Sequence, residues 1–196
     1  GANAPGFGDP LTRDPGAVRA DVANGALPAD MAERVYGVVP GEGATRALRA
    51  ERLAARLARA VAPAVAPATV PEDVALRPLA GELAVLERDG RPEAFVSLTG
   101  RAVLAGAGAN FKDGCAVLER PLRDVAPEFA TREGRAGHRT RYREYLCPVT
   151  GLRVDSEIVR EGDAPLHDIE LAVDRARTPR GVAGRSVAGA MTASTP

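Results

Sequence analysis

The residues able to hold a metal or act as nucleophiles are few in this chain, and they sit at turns. Cys147 opens the stretch CPVTG, residues 147–151, between two segments that read as strands. A thiol followed by proline, with glycine closing the turn, is how one arm of a structural zinc site begins: each arm presents two thiolates to a tetrahedral ion. Here Thr150 stands in the position of the second thiol. Upstream, SLTG (97–100) ends another strand-like run, and overlaid on a C-x-C-G arm it puts Ser97 and Thr99 in both ligand positions. Neutral hydroxyls are poor zinc ligands, although they can hydrogen-bond across the space an ion would fill. The expectation is a turn pair without metal, with Ser97, Thr99, Cys147 and Thr150 as vestigial ligand positions.

The remaining candidates are weaker. Cys115, His138, Cys147 and His167 have no recognised metal-ligand spacing, and a Cys115–Cys147 disulfide is not forced. His167-Asp168 has the composition of a base with its orienting carboxylate, but adjacent residues diverge in direction, so a structural hydrogen bond is expected instead. Asp155 and Glu157 are two apart on one strand face and are expected to face water. GAGAN, residues 106–110, lacks the Lys-Ser/Thr of a phosphate loop and reads as a flexible loop. The chain contains no Walker A loop, no G-x-S-x-G elbow and no H-E-x-x-H pair. No catalytic or cofactor-binding residue is assigned. The scarce aromatics Tyr36, Tyr142 and Tyr145 are expected as core or interface anchors, with His167 as a further interface candidate. The run RAGHRTRYRE (135–144) is locally basic and reads as a solvated strand, arginines outward and tyrosines inward.

Composition narrows the function classes. The 26 basic and 26 acidic residues cancel, which leaves no electrostatic footprint for nucleic acid and no polybasic membrane patch. No stretch reaches the length of a membrane span, and the N-terminal GANAPGFGDP has neither the basic nor the apolar region of a signal peptide. Two cysteines make no secreted disulfide framework, so cytoplasm is the default. Aromatics are 4 % of residues and much of the apolar content is alanine, so the core buries little area per residue and dependence on a partner is expected.

These residues must be positioned by a chain that changes character midway. Asp14-Pro15 starts a helix that stops near Asn24-Gly25. Leu27-Pro28 starts a second, and GATRALRAERLAARLARAVA forms a third, with Leu53, Leu57 and Val61 as an apolar stripe. APAVAPATVPED, residues 62–73, has proline at regular short intervals and reads as a semi-rigid linker. Beyond it the pattern is β: a hairpin about Asp89-Gly90, a strand at CAVLERPL, and a second hairpin turning at 148–151. The predicted class is α+β: a helical segment (1–61), the linker (62–73), a small antiparallel β domain of zinc-ribbon-like type (74–172), and a disordered tail (173–196).

Two resemblances follow from quoted residues. REYLCPVTGLRVDSEIVREGDAPLHDIEL together with NFKDGCAVLERPL resembles the small zinc-binding subunit of acetone and acetophenone carboxylases, the acetone carboxylase gamma type. In that family the two arms are Cys-x-Cys-Gly and Cys-Pro-x-Cys-Gly. Carried over, the ligands fall on Ser97, Thr99, Cys147 and Thr150, of which only Cys147 can serve. GFGDPLTRDPGAVRADVANGALPADMAERVYGVV resembles the C-terminal end of hydantoinase B/oxoprolinase large subunits. Both families supply subunits of ATP-dependent complexes that carboxylate a carbonyl compound or open a lactam. The pair implies a small assembly subunit of a carboxylase, within a hetero-oligomer of large hydantoinase A/B-type subunits that carry the ATP and a divalent metal. A lactam-hydrolase subunit is the alternative, and a metal- or thiol-sensing module a further one.

Overall fold

The computed structural model describes residues 8–125 and 139–171. His138 and the predicted tail at 173–196 lie outside the described residues. The fold is mixed α and β, with helices first and two antiparallel sheets after them.

Three helices occupy the N-terminal third: α1 (Pro15–Ala23), α2 (Ala29–Arg34) and α3 (Glu42–Arg59). Asp14 caps α1 as its sequence predicts, its carboxylate accepting from the Ala17 amide at 2.7 Å. Val18, Ala32 and Val38 make a small cluster that joins α1 to α2. The third helix ends before Val61, which is 74 % exposed and bridges Val117 instead of extending the apolar stripe. Leu57 and Ala60 pack against the second sheet.

The first sheet runs β1 (Leu76–Ala80), β2 (Leu83–Arg88), β3 (Arg91–Ser97), β4 (Val103–Gly106), each strand beside the next. The predicted hairpin joins β2 and β3 through Asp89 and Gly90, both at positive φ, as a tight primed turn requires. The second sheet runs β5 (Ala116–Pro121), β6 (Thr140–Leu146), β7 (Arg153–Arg160), and a single turn of helix, α4 (Leu122–Val125), follows β5. Between the sheets lies a core of Leu83, Phe95, Leu104, Phe111, Cys115 and Tyr145.

Period-two geometry also sorts the basic run. Tyr142 and Tyr145 are three apart, so they face opposite sides of β6. Arg143 shares the face of Tyr145 and is buried with it. The expected pattern of arginines out and tyrosines in fails for this reason. GAGAN is not a loose loop either: Ala109 N–H bonds the Gly106 carbonyl at 3.0 Å, and Asn110 caps a short 3-10 helix, Phe111–Gly114.

The proline-rich stretch is held at both ends. Val61 pairs with Val117, and Thr69 pairs with Ala102. Arg101 donates to the carbonyls of Val70 (2.9 Å) and Val74 (2.7 Å), which fixes the stretch against the first sheet.

Candidate functional site

The turns carrying the vestigial ligand positions face each other. A Cβ added to Gly100 would lie 2.4 Å from Cys147 Sγ, 3.1 Å from Ser97 Oγ and 3.1 Å from a methyl of Thr150. The second turn closes through the Gly151 amide on the Cys147 carbonyl, 2.9 Å, and Gly151 sits at φ +74° with the Leu53 carbonyl of α3 close above it. Its position demands glycine twice over, once for backbone angle and once for space.

The hydroxyls do not reach across to the other turn. They converge on Glu82, a buried carboxylate at the start of β2. Ser97 Oγ donates to it at 2.8 Å, Thr99 Oγ1 at 2.8 Å and the Thr99 amide at 2.7 Å. Ser97 Oγ in turn accepts from the Gly100 amide, 3.2 Å. On the other side Cys147, fully buried, accepts from the Thr150 amide at 3.4 Å, and Thr150 Oγ1 accepts from the Leu152 amide at 3.3 Å. This donor set does not fit a tetrahedral zinc ion: one thiol, three neutral hydroxyls, and two of those hydroxyls committed to Glu82. Among the described residues no group of three or more His, Cys, Asp or Glu side chains is placed to hold a metal.

A second polar cluster lies against the core between the sheets. Lys112, 2 % exposed, extends its ammonium toward Asp155 (3.1 Å), Glu157 (3.2 Å) and Asp168 (3.1 Å), between the rings of Phe111 and Tyr145. Arg143 Nη1 donates to Glu157 at 3.0 Å, and Tyr145 Oη donates to the same carboxylate. Asp155 and Glu157 therefore do not form the solvated face their spacing suggests. The strand turns that face inward, where a cation waits.

The electrostatics are mutually reinforcing. Burial pulls the Lys112 ammonium down, but Asp155 and Asp168 outweigh it and hold the ammonium above its ordinary value. Burial pushes Glu157 up, yet the Tyr145 hydroxyl, the Leu166 amide and Lys112 prevail and keep its carboxyl below the usual range. Burial, then Glu157, push the Tyr145 phenol up to about 12. A lysine locked in its charged form is no nucleophile, so the cluster binds and positions rather than reacts. Burial raises the Cys115 thiol as well, with the nearby Cys147 adding to it. Both thiols are free and buried.

The sequence candidates thus separate. Asp168 is bound to Lys112 and does not orient His167, whose exposed side chain makes no hydrogen bond among the described residues. Tyr145 is core, whereas Tyr36 and Tyr142 line one open groove of about 920 Å³ between the helical segment and β7, with Arg13, Arg153 and Ile158. Two residues given no role from the sequence hold the arrangement. Lys112, the single lysine of the chain, is one. Asp9 is the other: buried, it accepts from the Leu11 amide (3.0 Å), the Arg153 amide of β7 (2.8 Å) and the guanidinium of Arg56 on α3.

The result is a mixed α and β protein, with two facing turns and a helical segment fastened across the second sheet. Residues 72–179, more than half of the chain, match the acetone carboxylase gamma subunit family. The chain belongs to that family of carboxylase-associated subunits. No curated protein sequence matches the chain. Among the described residues no helix is long and apolar enough to cross a membrane.

Proposed function

We propose that this chain is a small, non-catalytic assembly subunit of a cytoplasmic ATP-dependent carboxylase of the acetone/acetophenone carboxylase type. The family match over residues 72–179 carries the reading. The chemistry of the two polar clusters supports it: the reactive groups at hand are a charged buried lysine, two buried thiols and hydroxyls bound to a carboxylate, all engaged in holding the fold. In this reading the β part, residues 74–172, is a zinc-ribbon-like domain whose Glu82 clasp replaces the metal. Residues 1–61 are a hydantoinase B-like tail, joined to it through the stretch 62–73.

The docking surface on large hydantoinase A/B-type subunits is the groove lined by Tyr36 and Tyr142. Amphipathic tyrosines at the mouth of an open groove suit a protein interface. ATP and the divalent metal belong to those partners. A tagged full-length chain recovered from its source cells, with mass spectrometry of co-isolated proteins, tests the proposal. Recovery with large subunits and ATP-dependent carboxylation is the expected result. A chain recovered alone, or with ATP-dependent lactam hydrolysis in place of carboxylation, defeats it.

A further inference from the structure

Residues 163–171 follow β7 and run back over the end of the core, extended and without regular structure. Their polar attachments run through side chains, apart from the Asp163 amide, which donates to the Arg160 carbonyl at 3.1 Å. Arg143 Nη2 donates to the Asp163 carbonyl at 3.0 Å, and Asn110 Nδ2 donates to the Leu166 carbonyl at 3.1 Å. The Leu166 amide donates to Glu157 at 3.3 Å, and Asp168 pairs with Lys112 at 3.1 Å. Among the described residues, positions 164–171 make no main-chain to main-chain hydrogen bond. Beneath them Ile169 and Leu171 pack on the core of Leu83, Phe95 and Phe111. Asp168 and Ile169 also form part of the wall of a 250 Å³ cavity that reaches Phe111, Asp155 and Arg153.

We propose that residues 163–171 are a strap, latched by Asp168 onto the buried Lys112, that opens as a unit while both sheets stay folded. Three observations carry this. Among the described residues positions 164–171 have no ladder partner, so their release breaks no sheet hydrogen bond there and their opening free energy is separate from that of the core. The strap's polar anchors converge on one small cluster of Asn110, Lys112, Arg143 and Glu157, beside the apolar face on which Ile169 and Leu171 pack, so they are lost together. Lys112 does not depend on the strap for neutralisation, because Asp155 and Glu157 remain bound to it when Asp168 leaves. Opening therefore strands no naked charge, the usual barrier to such a movement. What it exposes is the cavity and the Phe111 end of the core.

Hydrogen exchange of the full chain, resolved by peptide mass spectrometry, tests the strap. Asp168→Asn is the informative variant, since its side chain is 51 % exposed and the residue lies outside both sheets. Exchange across 164–171 is expected to rise about tenfold in this variant, with β2, β3 and β6 unchanged. Asp155→Asn, which removes a carboxylate from the same lysine without touching the strap, is expected to leave exchange across 164–171 within about twofold. Unchanged exchange across 164–171 in Asp168→Asn overturns the proposal, as does an equal rise in the sheets. Equal opening by both variants overturns the assignment of Asp168 as the latch.

Discussion

At the paired turns one carboxylate, Glu82, collects neutral donors from Ser97 and Thr99, while at the Phe111–Gly114 helix one ammonium, Lys112, collects three carboxylates. Both arrangements satisfy buried polar atoms, and both stand where the chain reverses. They differ in how charge is handled. The turn holds one ionised group among dipoles, so it depends on hydroxyl geometry and on space. The lysine cluster is a web of full charges, so it depends on protonation state and above all on the ammonium at its centre.

That contrast can be broken most forcefully at Lys112. Replacing it with Met removes the cation that buried Glu157 shares with the partly exposed Asp155, and leaves Glu157 with Arg143 alone as its cation. A loss of about 3–5 kcal/mol is expected, read from the midpoint of urea unfolding. At the turns the comparable test is Gly100→Ala, whose methyl meets Cys147 Sγ at 2.4 Å. Overpacking costs about 1–3 kcal/mol, and the double variant with Cys147→Ala is expected to recover part of it. Glu82→Gln keeps the shape but removes the charge that strengthens the hydrogen bonds from Ser97 and Thr99. About 1–2 kcal/mol is expected from thermal unfolding.

Acid separates the two regions next. The Glu157 carboxyl is held below its ordinary 4.5, so its stabilisation is present above pH 4.5 and lost as pH falls through the depressed value. The Lys112 ammonium is held above its ordinary 10.5, so its contribution persists below that pH and is lost as pH rises through the raised value. Unfolding midpoints measured from pH 7 down to pH 3 are expected to fall less in Glu157→Gln than in the parent chain, relative to each one's own value at pH 7. The smallest effect is expected from chelation. Dialysis against a strong zinc chelator leaves the thermal midpoint unchanged, whereas a site with a structural zinc would lose about 10–16 kcal/mol of folding free energy.

Legibility followed the range of the interactions. Caps and tight turns are local, and Asp14-Pro15 and Asp89-Gly90 announced theirs from adjacent residues. The approach of SLTG to CPVTG followed from two turn shapes, because each turn's form is set by its own few residues. Glu82 was not foreseen, since nothing in its own neighbourhood says that two hydroxyls fifteen and seventeen positions later will turn to it. Lys112 and Glu157 are forty-five positions apart and meet only after two sheets have packed. Strand alternation alone sent Asp155 and Glu157 to water, because alternation distinguishes two faces without saying which one holds a cation. Asp9 lies in the GFGDPLTRDPG stretch and one partner, the Leu11 amide, is local, but its other two partners lie on α3 and β7.

Asp9 has a mechanical meaning. One short side chain is tied at once to its own turn, to a helix and to the first residue of β7. No flexible loop intervenes to absorb a displacement, and pulling the three apart would leave a carboxylate stranded in a dry interior. The helical segment is thus a handle bolted to the sheet. Whatever grips α3 is tied to the strand through this one carboxylate.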